Sequence, residues 1–165
     1  ERVMKTRRFV YYRHPRRAAA EVQRCIAAAG LTKEEAAARV GVDRSYLNRV
    51  AAGTRPASQA LQEALISEFE ADGSAFSEWS AQEIGDMVRL ARAEVRATAT
   101  YLADLSGVSR RVICYTESGV RLPSRRSLES IATALVALAD EKHLVCEPAR
   151  DLAAIVRQNS VFSTA

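Results

Sequence analysis

Apolar residues recur at helical spacing along almost the whole chain, and no segment alternates with period two for long enough to build a strand. Ala20, Val22 and Ile26 mark a first helix, with Pro15 placed to open it and Gly30 to stop it. Thr32 and Glu35 have the spacing of a capping box for a second helix, which Gly41 ends. Asp43 caps a third, from about Arg44 to Ala52, closed by Gly53. Beyond Pro56 a fourth helix spans roughly 58–71, with Leu61, Leu65, Ile66 and Phe69 as its apolar stripe.

Asp72, Gly73 and Ser74 read as a boundary, followed by a short helical turn around Phe76 and Trp79. Ser80 and Glu83 form a second capping box, for a helix through Ile84, Val88 and Leu90. Thr98 caps the next helix, to about Ser106–Gly107, and Ser109 caps one that ends at Gly119. Pro123 and Ser124 introduce a long helix carrying Leu128, Ile131, Leu135 and Leu138, and Pro148 begins a last one through Leu152, Ile155 and Val156. This order repeats. A shift of 66 residues lays Thr32, Ala37, Gly41, Val42, Arg44, Leu47, Gly53 and Arg55 on Thr98, Ala103, Gly107, Val108, Arg110, Ile113, Gly119 and Arg121. Matches concentrated at turns and core positions argue for an internal duplication, and two copies are too few for a solenoid.

The longest apolar run, Ile131–Ala139, is broken by Thr133 and is too short to span a bilayer, and no signal-peptide pattern is evident. Neither a membrane protein nor an obviously secreted one is expected. Cys25, Cys114 and Cys146 form no CxxC pair, and His14 and His143 have no metal-ligand spacing, so neither metal nor cofactor is expected. Nucleotide-binding and hydrolase motifs are absent, so an enzyme is not expected. The cysteine usage suits a reducing cytosol. The net charge of +4 is uneven: residues 1–17 carry +6, residues 18–75 −2, residues 76–139 +1 and residues 140–165 −1. The positive excess is an N-terminal arm.

Within each copy two short helices meet at a tight turn. In the first, Val42, Leu47 and Val50 are spaced to bury one face of the second helix, and Ala37 is small enough for a close crossing. The opposite face offers Arg44, Ser45, Asn48 and Arg49, with Tyr46 flanking. This is the layout of a helix-turn-helix. The stretch GLTKEEAAARVGVDRSYLNRVAAGTRP (30–56) resembles the lambda-repressor-like (Cro-type, XRE) family. So does TATYLADLSGVSRRVICYTESGVRLPS (98–124), through Leu102-Ala103, Gly107-Val108-Ser109, the Glu117-x-Gly119 close and Pro123-Ser124. With flanking helices the resemblance covers about residues 16–139. It departs at Ala36, Ala51 and Ala99, where the family has a larger apolar residue, a Glu and a polar first-turn residue.

The resemblance implies an all-α protein with two tandem helix-turn-helix domains: arm 1–17, first domain 18–75, second domain 76–147, and a C-terminal helix and tail 148–165. It implies recognition helices in the major groove of double-stranded DNA. Lys33 would sit near phosphate, and Arg44, Ser45, Asn48 and Arg49 would face base edges or backbone. Their equivalents are Arg110, Arg111, Cys114 and Tyr115, while Arg55 and Arg121 are placed for phosphate contacts. Tyr46 and Tyr115 read equally as packing residues. In the arm, Lys5, Arg7, Arg8, Arg13, Arg16 and Arg17 interleave with Phe9, Tyr11 and Tyr12. They suit phosphate tracking or the minor groove. The other reading is a short ordered FVYY segment with its arginines merely exposed.

The function implied is a cytoplasmic, nucleoid-associated transcription regulator, a repressor of the phage or plasmid kind. One chain with two unlike recognition helices would read an asymmetric site, with the linker adding avidity. Two rivals remain open: a second copy that mediates dimerisation or contact with a protein such as RNA polymerase, and sequence-independent DNA packing.

Overall fold

The computed structural model describes residues 10–160, and these are almost wholly helical. The helices are α1 Pro15–Ala28, α2 Lys33–Val40, α3 Arg44–Ala51, α4 Gln59–Phe69, α5 Ala81–Glu94, α6 Ala99–Ser106, α7 Arg110–Glu117, α8 Arg125–Glu141 and α9 Glu147–Asn159, with a 3-10 turn at Gly73–Phe76. Among the described residues no strand forms, and extended pairing is limited to an isolated antiparallel bridge between Tyr12 and Glu78. The bounds of α5, α6 and α7 are those of α1, α2 and α3 displaced by 66 residues.

Local chemistry sets these bounds. Both capping boxes form: Thr32 with Glu35 at the start of α2, and Ser80 with Glu83 at the start of α5. Each pairs two backbone donors that a helix start leaves without an intrahelical acceptor. Gly41 and Gly107 close α2 and α6 in the left-handed region, at φ 75° and 72°, a conformation a Cβ penalises. Asp43, Ser58, Ser109 and Ser124 cap α3, α4, α7 and α8 through side-chain oxygens.

The chain divides into two compact units. Among the described residues the first is Tyr11–Glu78 together with Gln158–Ser160, and the second is Val10 together with Trp79–Arg157. The first packs Ala18, Val22 and Ile26 of α1 with Ala36, Ala37, Leu47, Val50, Leu61 and Leu65 in its core. The second buries Ile84, Val88, Leu102, Ile113, Leu128, Ile131, Leu135 and Leu138. Two stripe assignments need correction. Ile66 is 44% exposed, because it follows buried Leu65 by about 100° of helix turn. Leu90 is 52% exposed, because the buried line of α5 runs through Ile84, Val88 and Ala91 and leaves it aside.

In the first unit, residues 11–14 are docked as a segment that bends at Arg13 and His14 into α1. Tyr11 and Tyr12 are fully buried. The Tyr12 hydroxyl donates to the Ala57 carbonyl at 2.6 Å and accepts from Gln62 at 3.1 Å. The Tyr12 backbone exchanges two bonds with the buried Asn159 amide, at 2.9 and 3.0 Å. Burial pushes the Tyr12 phenol well above its ordinary range, so it stays neutral.

Candidate nucleic-acid interface

The α2–α3 turn is built from backbone geometry. Gly41 N–H and Val42 N–H (3.0 Å) both return to the Ala37 carbonyl, and Asp43 Oδ1 accepts from Ser45 N–H at 2.6 Å to start α3. Leu47, Val50 and Ala51 turn inward, so the other face of α3 must be outward. That face carries Arg44, Ser45 and Arg49, all exposed. Lys33 begins α2, also exposed.

A family model for the helix-turn-helix domain matches residues 15–79, from the first residue of α1 to just past the 3-10 turn. This segment is a helix-turn-helix domain. Comparisons with curated proteins and with solved structures returned no match.

The outward face of this helix-turn-helix domain is cationic, and its side chains differ in how firmly they are held. Arg44 faces Glu34 at 3.8 Å, with both side chains mostly exposed, an arrangement too solvated to fix either. Neither Lys33 nor Arg49 has a side-chain hydrogen bond or ion pair among the described residues. The Arg55 guanidinium lies over the Tyr46 ring, 5.2 Å from its centroid. Tyr46 itself is half-buried and fastens the loop after α3: its hydroxyl accepts from Ser58 N–H at 2.7 Å and donates to the Pro56 carbonyl at 3.2 Å. Tyr46 therefore positions Arg55 and the start of α4. Asn48 is half-buried, and its amide oxygen is shielded with no hydrogen-bond partner.

In the second unit Thr98 caps α6 by accepting from Tyr101 N–H at 3.1 Å, and Ser109 caps α7 by accepting from Val112 N–H at 3.3 Å. Ile113 and Thr116 are the buried residues of α7. Arg110, Arg111, Cys114, Tyr115 and Arg121 are exposed. Arg110 and Arg121 have no side-chain partner among the described residues. Arg111 is tied to Tyr115 one turn on: its Nε and Nη2 both donate to the phenol oxygen at 3.2 Å, and its carbon lies 5.4 Å from the ring centroid.

A contact that sequence reasoning missed holds α7. Arg92 of α5 grips Glu117 with two bonds, Nε to Oε1 at 2.6 Å and Nη2 to Oε2 at 3.1 Å, and its Nη1 donates to the Ala97 carbonyl at 3.0 Å. The hydrogen bonds that Glu117 accepts push the guanidinium further up from its ordinary value. Glu117 stands out in the sequence as part of the Glu-x-Gly close, but nothing there points 25 residues back to Arg92.

The arm needs a partial correction. Lys5, Arg7 and Arg8 lie outside the described residues. Residues 11–17 are not a free arm, because the burial of Tyr11 and Tyr12 docks the chain: Arg13 N–H donates to the Ser77 carbonyl at 2.9 Å, and Arg16 and Arg17 stand in the first turn of α1. Arg17 bonds Asp72 at 3.1 Å and Ser74 at 3.2 Å. Of the two readings of FVYY, the ordered segment is the one Tyr11 and Tyr12 adopt. Nearby, Arg24 and the Asp72 N–H (2.9 Å) hold Glu21 below the usual carboxylate range.

Cys25 and Cys146 are buried, which raises both thiols, while Cys114 is exposed. Among the described residues no group of His, Cys, Asp and Glu could hold a metal ion, and no helix is long and apolar enough to cross a membrane.

Proposed function

We propose that the protein is a sequence-specific transcription regulator, a repressor of the phage or plasmid kind, that binds duplex DNA through α3 and α7 as two recognition helices. The observation that supports this reading is the equal displacement of α1–α3 and α5–α7 by 66 residues, so that α7 stands at the same point in the order of elements as α3 does within the helix-turn-helix domain. Both helices turn arginines to solvent at the register where a recognition helix meets base edges: Arg44 and Arg49 on α3, Arg110 and Arg111 on α7. Lys33, Arg55 and Arg121 flank these faces as phosphate contacts. Unlike residues on the two helices favour an asymmetric site read by one chain.

Selection of bound sequences from random duplex DNA at near-physiological salt tests this. A motif in two unlike parts supports it. An enriched palindrome of one short half-site, or no enrichment, overturns it.

One observation favours a second reading, in which the second unit makes protein contacts with another copy or with RNA polymerase. On α6, Tyr101 and Leu105 are 50% and 47% exposed, and 66 residues earlier α2 carries Glu35 and Arg39. Sedimentation of the full chain decides it: a concentration-dependent dimer supports this reading, and a monomer that still binds a two-part site excludes the dimer form.

A further inference from the structure

We infer that Arg111 reads a guanine in the part of the DNA site that α7 contacts, and that Tyr115 is the positioning residue that holds it ready. The inference rests on the proposal that α7 is a recognition helix. A free arginine on a helix surface samples many rotamers and loses that freedom when it binds. Arg111 has already lost much of it. Tyr115 lies four residues on, on the same face, where side chains meet. Its hydroxyl accepts from Nε and Nη2 together, at 3.2 Å each, and its ring lies against the guanidinium at 5.4 Å.

Which edge of the guanidinium is used matters. Nε and Nη2 form the side edge, and Tyr115 occupies it. The terminal edge, formed by Nη1 and the second hydrogen of Nη2, makes no contact among the described residues and still presents two parallel N–H groups. That fork matches the paired O6 and N7 acceptors of guanine in the major groove, and no other base offers two acceptors there. Both residues are exposed, so the pair is accessible. At the equivalent register α3 has Ser45 and Arg49, and no bond joins them. The braced reader is therefore particular to α7.

The test uses the full chain and its R111K, R111A, Y115F and Y115A variants. Each is checked for helicity, selected against random duplexes, and titrated against the best duplex with each base in turn at the guanine position. The wild type should favour guanine there by about tenfold or more. R111A and R111K should flatten that position to within about twofold and leave the preferences in the α3 part unchanged. R111K is decisive, because it keeps the charge and removes the fork. Y115F, which retains the ring, should lower guanine discrimination a few-fold, and Y115A should lower it further. Guanine preference retained in R111K, or no guanine in the α7 part of a two-part motif, overturns the inference alone. A wild-type motif with no second part overturns the underlying reading, and this inference with it.

Discussion

In the first unit α1 meets α3 through apolar side chains and one side-chain-to-carbonyl hydrogen bond; in the second, α5 meets α7 through a charge pair and a glycine. The positions correspond at the 66-residue displacement. Ile26 and Ala51 stand where Arg92 and Glu117 stand, and Ala19 where Gly85 stands. At Gly85 a Cβ would lie 2.1 Å from the Thr116 carbonyl oxygen, so the helix backbones come closer than any side chain allows. At the corresponding positions the first unit carries the buried methyl groups of Ala19 and Ala51, and Gln23 holds α3 with a side-chain bond to the Ala51 carbonyl. The same order of helices is thus held by two chemistries. The two-bond grip of Arg92 on Glu117 adds a directional constraint on α7 that the methyl groups of the first unit do not supply.

The sharpest way to break this comparison is Gly85→Ala. It puts the first unit's residue into the second unit's tighter crossing and should destabilise it by about 3 kcal/mol. Trp79, the chain's one tryptophan and a member of the second unit, reports the loss by fluorescence in a urea titration. Glu117→Ala comes next. It leaves Arg92 half-buried without its carboxylate and should remove about 2 to 3 kcal/mol. The double change Arg92→Ile with Glu117→Ala transplants the first unit's residues and should regain at least half of that, measured as a double-mutant cycle. If the double variant is as unstable as the single, the two chemistries are not interchangeable.

Smaller effects sharpen the first unit's side. Tyr46→Phe removes the hydroxyl that joins Ser58 N–H to the Pro56 carbonyl and should cost about 1 kcal/mol, again by denaturation. Glu21 is held below its ordinary value of 4.5, so folding favours its charged form. That contribution is complete above the ordinary value and is lost as pH falls through the lowered one. Acid should therefore weaken the wild type more than Glu21→Gln, and the effect belongs to the first unit, since Met87 occupies the equivalent place in the second. Lys33→Ala should change least. It should lower the slope of log affinity against log salt by about 0.9, while Ala99→Lys in the second unit should raise it by a similar amount.

Whatever is encoded within a few residues was legible beforehand. Thr32 with Glu35, Ser80 with Glu83, and the left-handed Gly41 and Gly107 are local signals, and the helix bounds follow from them. The matched helix-turn-helix domain was legible too, because its turn and core spacing lie within one short stretch. Side-chain geometry was not. The Arg92–Glu117 grip, the Tyr46–Ser58 bond and the docking of Tyr12 join residues 25, 12 and 147 positions apart, beyond the reach of any periodicity. Charge density made residues 13–17 look like part of an arm, but the burial of two tyrosines outweighs it. Asn48 has the composition of a base reader, yet its rotamer hides the amide oxygen, and a rotamer is set by neighbours rather than by sequence position.

The bond between Tyr12 and Asn159 also sets an order of events during synthesis. Tyr11–Glu78 of the first unit is translated before the second unit, but the Asn159 amide that Tyr12 bonds follows 147 residues later. At roughly 5 to 20 residues per second this is a delay on the order of ten seconds. Until then the Tyr12 N–H and C=O must stay open to water, since burying them unmatched is unfavourable. A nascent chain therefore completes the first unit only after the second has been made.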